Sequence, residues 1–197
     1  MLIFWSARLV FLANTKTGST SVESALAPLA HVALQRPHEL MHLSARGYRD
    51  SIAPLLERLG GGRFRTVALM RDPVDWLGSW FRTRCRDDIA PAERVPGDTD
   101  FSRFVEAYLS DVPPAWARLV SQAEFLCGED GAVLADRIFR YERIGAFLHH
   151  LEDTFGCEIT LPRLNVSPPR GLGLRDDLRR ALLDRFAPDY AIYDSLG

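Results

Sequence analysis

The chain has 197 residues, 47% of them hydrophobic and 25% charged, with a formal net charge of −2; a chain of this size buries about 70% of its unfolded surface around one core and needs no covalent staple. Its three cysteines, Cys85, Cys127 and Cys157, make no paired disulfide framework and match no zinc spacing, which points to reduced thiols in the cytoplasm. No apolar run nears the ~20 residues of a membrane span, the opening MLIFWSARLVFLA lacks a basic leader and a small-residue cleavage site, and near-neutral charge gives no reason to expect a nucleic-acid partner.

In chain order, RLVFLA (8–13) is a short apolar run suited to a buried strand. The polar loop Asn14-Thr15-Lys16-Thr17-Gly18-Ser19-Thr20 follows, then a helix over 21–30, with Thr20 and Glu23 at capping-box spacing. Residues 31–43 read as a second strand broken by Pro37, and 44–59 as a helix closed by Gly60, Gly61 and Gly62. FRTVALM (64–70) is another buried strand; Asp72 is a good N-cap and Pro73 a good first-turn residue, so a helix runs on over 74–84. Residues 85–100, charged and rich in Pro, Gly and Asp, form a long loop. Helices are expected over 101–109 and 115–126, a strand over 133–141, a helix over 144–155 ended by Gly156, irregular chain over 161–169 and a final amphipathic helix over 174–186. Strands alternating with helices predict an α/β fold in one domain, residues 1–197, with a central, mostly parallel sheet flanked by helices.

One count inside the composition stands out. Of the 24 basic residues, 23 are arginine, and the sole lysine is Lys16. Surface charge here is supplied by arginine, so position 16 calls for a compact ammonium on a flexible stem rather than a wide planar fork. Lys16 lies in the loop between a strand and a helix, where backbone N–H groups and the positive end of the helix dipole favour an anion. Thr17, Ser19, Thr20 and Ser21 add hydroxyl donors, and Gly18 lets the backbone come close. The unit is a P-loop-like, phosphate-binding strand–loop–helix, yet the triphosphatase pattern G-x-x-x-x-G-K-[ST] is not there. A bland alternative is an ordinary helix start with solvated hydroxyls.

A second constellation runs from Arg71 through Asp72, Pro73 and Asp75 to Ser79. Arg71 stands at the carboxyl end of a strand, where open α/β sheets bind ligands, and Ser79 lies two turns into the next helix. A guanidinium and a hydroxyl so placed can hold one phosphate. Taken alone, the segment is better explained by capping by the two aspartates, with Ser79 on a solvated face.

Together the two segments resemble the sulfotransferase superfamily, closest to the soluble bacterial branch of its glycan-type members. Residues Thr15 to Ser21 look like the family's 5′-phosphosulfate loop, and Val67 to Pro73 with Ser79 look like its 3′-phosphate motif. Weaker similarity lies in Phe139-Arg140-Tyr141-Glu142-Arg143-Ile144, in residues 161–167, and in Asp189-Tyr190 with Tyr193. Thr15 stands where the family usually has proline, which removes no ligand. The resemblance implies a donor, 3′-phosphoadenosine 5′-phosphosulfate, and a small-molecule or glycan acceptor, with no metal. By residue-for-residue carry-over Lys16, Thr17, Gly18, Ser19, Thr20 and Ser21 hold the 5′ end, and Arg71 and Ser79 hold the 3′-phosphate.

An acceptor hydroxyl or amine needs a base. His38 and His42 are candidates because imidazole titrates near neutrality, and His42-Leu43-Ser44-Ala45 fits the family's histidine position best. Lys16 and His42 are therefore the expected catalytic pair. His38-Glu39-Leu40-Met41-His42 also satisfies H-E-x-x-H, but Pro37 precedes it and no third zinc ligand follows on the same helix, so the match reads as coincidence. A nucleotide kinase or other phosphotransferase, and a non-catalytic nucleotide-binding module, are the competing expectations.

Overall fold

The structure, a computed structural model, describes residues 1–162 and 172–196. Two apolar runs make the centre of the sheet, β2 (Leu9–Leu12) and β4 (Arg65–Met70), and they pair in parallel with Leu9 opposite Arg65 and Leu12 opposite Ala68. Both are covered on both faces, which is why their sequences are near-continuous hydrophobic rather than alternating. β5 (Arg137–Arg140) adds in parallel on the far side of β4.

The other half of the sheet differs from the expected mostly parallel arrangement. Met1 to Phe4 is not merely a lead-in: β1 (Leu2–Phe4) turns back at Trp5–Arg8 and pairs antiparallel with β2, closed by the Arg8 amide donating to the Trp5 carbonyl at 3.1 Å. A four-residue turn can only reverse the chain, and parallel pairing needs a long crossover. The segment 31–43 supplies just two strand residues, β3 (Val32–Ala33), antiparallel on β1. The order is β3-β1-β2-β4-β5, a mixed five-stranded sheet with two parallel and two antiparallel pairings.

Side chains alternate across the pleat. On one face Ile3, Val10, Leu12, Ala68 and Met70 pack against Tyr48, Leu56 and Phe125. On the other, Phe4, Phe11, Val67 and Leu69 meet Val22 and Leu26 of α1 (Ser19–Leu26) together with Phe147 and Leu151. Fully burying each such ring or branched chain contributes about 1.5–3 kcal/mol.

After β3 come a single turn, α2 (His38–Met41), and a long helical segment made of α3 (Ala45–Gly47), a π-turn over Tyr48–Ile52, and α4 (Ala53–Gly60), closed by Gly61 at φ 67°. α5 (Pro73–Arg84) starts as expected, with the Asp72 carboxylate accepting from the Val74 and Asp75 amides, both at 3.0 Å. α6 (Phe101–Leu109) follows the long loop. The helix expected over 115–126 shrinks to α7 (Gln122–Leu126), begun by a Ser121–Glu124 capping box. α8 (Ile144–Phe155) ends at Gly156. The last expected helix is α9 (Asp176–Arg185), and a further one, α10 (Ala187–Ser195), opens at Pro188. α5, α6 and α9 pack together beside the sheet through Trp76, Phe81, Phe104 and Leu182. No helix among the described residues is long and apolar enough to cross a membrane. Of the family-like segment 161–167, residues 163–167 lie outside the described residues.

Candidate anion-binding site

β2 and β4 lie side by side and parallel, so their carboxyl ends deliver Asn14 and Arg71 to the same edge of the sheet. From Asn14 the chain runs through Thr15, Lys16 and Thr17 into α1, with Gly18 as N-cap in the left-handed region, φ 73° and ψ 16°. This replaces the expected cap. Glu23 cannot reach back to a Thr20 cap because it is buried and accepts from the Met1 amine at 2.7 Å. No side chain caps α1, so the positive end of this helix is presented to the space in front of it. Gly18 is also required sterically: a Cβ there would sit 2.9 Å from Cε2 of Tyr141.

Lys16 itself adopts φ 61°, a conformation few residues other than glycine take. Its ammonium donates to the Thr83 hydroxyl and lies 5.1 Å from the centroid of the Trp80 ring. Burial, then the charges of Arg86, Arg71, Arg84 and Arg82, push its pKa down to about 8. An ammonium destabilised by burial and surrounding cations is poised to gain from an anion.

Arg71, half-buried, lines the same cavity as Lys16. Its guanidinium is 4.9 Å from the Tyr141 ring centroid and reaches the Lys16 carbonyl at 3.5 Å, while its Nε is buried with no partner among the described residues. Ser79 stands two turns into α5, and its carbonyl accepts from the Thr83 hydroxyl at 3.0 Å. This cavity, of about 480 Å³, is lined by Lys16, Gly18, Ser19, Thr20, Ser21, Arg71 and Ser79, with Arg82 and Arg86. Thr17 does not line it: its side chain is buried, and its hydroxyl donates to the Asn14 carbonyl at 3.0 Å, bracing the loop from behind.

A layer of polar side chains not foreseen from the sequence holds the two strand exits together. Gln122, wholly buried, accepts from the Arg71 amide at 2.9 Å and from Asn14 Nδ2 at 3.3 Å, and donates to the Arg71 carbonyl at 2.8 Å. Asn14 also donates to the Leu69 carbonyl at 3.1 Å, and the Trp76 indole donates to the Thr15 carbonyl at 3.1 Å. Gln122 is held in turn by Asp189, which accepts from the Gln122 and Ala123 amides at 3.0 and 3.1 Å. Burial pushes the Asp189 carboxyl up to about 6 against the pull of those two amides. The late motifs converge here as well: Glu142 accepts from the Asp72 amide and from the Tyr193 hydroxyl, both at 2.9 Å, and the Tyr190 hydroxyl donates to Asp72 at 3.3 Å. The capping pattern at Ser121 was the only sequence signal pointing at Gln122.

His42 sits just past α2, outside the cavity lining. Its Nδ1 donates to the Ala13 carbonyl at 2.6 Å, which leaves Nε2 as the acceptor nitrogen. Burial lowers its pKa, so the ring is neutral at pH 7. His38 packs edge-on against it, ring centroids 4.5 Å apart. Among the described residues no group of three His, Cys, Asp or Glu comes together, so the H-E-x-x-H pair has no third donor there.

No protein-family model matches the chain, and neither curated proteins nor solved structures provide a match. What the arrangement can do follows from its own geometry. It offers an uncapped helix start with an ammonium, a guanidinium and a hydroxyl around one cavity, and a neutral imidazole anchored next to the loop.

Proposed function

We propose that the protein is a sulfotransferase that moves a sulfuryl group from 3′-phosphoadenosine 5′-phosphosulfate to a hydroxyl or amine of a small-molecule or glycan acceptor. One observation carries this reading: Lys16 near the start of α1, Arg71 and Ser79 open onto a single cavity. Several cationic and hydroxyl side chains around one cavity fit a ligand that carries more than one anionic group. The buried Arg71 Nε, without a partner among the described residues, is a further donor in keeping with an anion there.

When bound, the nucleotide supplies an activated sulfuryl group, whose departure leaves charge on a phosphate oxygen. Lys16 and the N–H groups at the start of α1 stabilise that charge more than the ground state, which is the requirement for acceleration. Arg71 and Ser79 fix the far phosphate and so the orientation. His42 accepts the acceptor's proton at Nε2, its ring aligned by the Ala13 carbonyl. A cytoplasmic setting for the reaction is part of this proposal, since three cysteines make no paired disulfide framework.

Thermal-shift measurements with adenosine 3′,5′-bisphosphate, ATP, ADP and AMP test the reading. A ligand at a hundredfold its Kd stabilises by about 2.7 kcal/mol, or roughly 5–10 °C for a chain of this size. Selective stabilisation by the bisphosphate supports the sulfotransferase. Equal or greater stabilisation by ATP with Mg²⁺ favours a phosphotransferase, and bisphosphate binding without turnover on any acceptor favours a binding module.

A further inference from the structure

Three arginines stand at the carboxyl end of α5 and just beyond it, and they differ in their company. Arg84 pairs with Glu93, and Arg86 holds Asp88 through two hydrogen bonds at 2.8 and 2.6 Å. Arg82 has no carboxylate and no hydrogen-bond acceptor among the described residues, although it is half-buried and lines the cavity. Asp75, two turns earlier on the same helix, favours the Arg82 charge electrostatically but forms no ion pair with it among the described residues.

Position explains what Arg82 faces. Ser79 and Arg82 are three residues apart on a helix and so share a face. Arg71, which leads into that helix, opens onto the same cavity. Burial and the charge of Arg71 both act against the positive charge of Arg82. Two unpaired guanidiniums on one cavity, one with a buried Nε lacking an acceptor, repel each other until an anion lies between them. The count of charge favours the nucleotide over the acceptor as the source of that anion. Lys16, Arg71, Arg82 and Arg86 face the cavity against one carboxylate, Asp88, which Arg86 already holds. Each phosphate monoester brings about −1.5 to −2 at neutral pH, so a bisphosphate alone absorbs these cations.

We propose that Arg82 is a second guanidinium for the terminal phosphate held by Arg71 and Ser79, and that it sets the preference for nucleotides carrying that phosphate over those without it. The proposal rests on the donor reading above. Two guanidiniums and a hydroxyl would satisfy more of the phosphate's acceptor sites than Arg71 and Ser79 alone, and a planar fork does this where a point charge does so less well.

Calorimetry on the full chain, with adenosine 3′,5′-bisphosphate and adenosine 5′-monophosphate, tests it in the wild type, Arg82→Gln and Arg82→Lys. The wild type should prefer the bisphosphate. Arg82→Gln should reduce that preference about tenfold to a hundredfold, and Arg82→Lys should restore part of it. Arg82→Gln and Arg82→Lys proteins that melt like the wild type but keep its full preference would overturn the role of Arg82 alone. A wild type that binds the two nucleotides equally would overturn the donor reading and this role with it.

Discussion

Gln122 and Arg71 hold each other through a pair of hydrogen bonds, the Gln122 amide to the Arg71 carbonyl at 2.8 Å and the Arg71 N–H to Gln122 Oε1 at 2.9 Å. The same Oε1 accepts from Asn14, so one buried side chain fixes the exits of both central strands. The spacing between those exits is therefore set in the interior.

Gln122→Leu removes this bridge and leaves both backbone groups of Arg71 without their partner. It should cost about 2–3 kcal/mol, which lowers Tm by roughly 4–12 °C, and it should weaken bisphosphate binding. An unchanged melting temperature would show that the bridge contributes nothing.

Lys16→Ala should leave the fold intact, since among the described residues the ammonium meets Thr83 and Trp80 alone. Loss of such a donor at the departing oxygen should reduce the transfer rate by roughly 10²–10³-fold. Lys16→Arg should be impaired too, because a fork does not fit the place of a point charge. Near-normal turnover in folded Lys16→Ala would remove Lys16 from the mechanism.

The Lys16 pKa of about 8 makes ligand binding pH-dependent. An anion beside the ammonium favours its charged form and raises that pKa. Just above that pH the free protein has partly lost the proton, so bisphosphate binding should take one up, and affinity should fall as pH rises further. Calorimetry in buffers of different ionisation enthalpy measures the uptake; Lys16→Ala should abolish it.

His42→Gln should lower turnover by roughly 10²–10⁴-fold with little change in donor affinity. Because burial depresses the His42 pKa, the acid limb of the rate profile should lie below the ordinary imidazole value of 6.5. If His38→Gln behaves this way instead, the neighbouring ring is the base.

Asp189 yields a stability prediction with a definite sign. Its carboxyl titrates near 6 in the fold against an ordinary 3.8. Between those values the folded state holds a proton that the unfolded chain has released, so stability falls as pH rises through this window, by about 3 kcal/mol at most. Asp189→Asn should flatten that slope in denaturant titrations at a series of pH values. A slope unchanged by the substitution would mean another group is responsible.

Local signals carried much of the fold. β2, β4, α5, α6 and α8 were legible because apolar runs, an Asp-Pro start and a closing glycine act within a few residues. β1 was not: three strand residues carry too little periodicity, and their pairing depends on the turn at Trp5–Arg8. The Thr20 cap failed because the left-handed Gly18 starts the helix earlier and Glu23 is engaged elsewhere. Within the site, Lys16 was visible from composition alone, and Arg71 and Ser79 from strand end and helix spacing. Gln122 was not, since it owes its place to segments far apart in sequence.

The Tyr141 ring lies against Gly18 on one edge and under the Arg71 guanidinium on the other. Gly18 and Arg71, both of which line the cavity, therefore share one neighbouring ring. Adding a methyl at position 18 would shift that ring and withdraw the support beneath Arg71. Gly18→Ala and Arg71→Ala should then be non-additive, their combined loss of affinity smaller than the two single losses together. A ligand group held at one of these residues would prepare the other, so the bisphosphate should bind more tightly than its two halves measured separately would suggest.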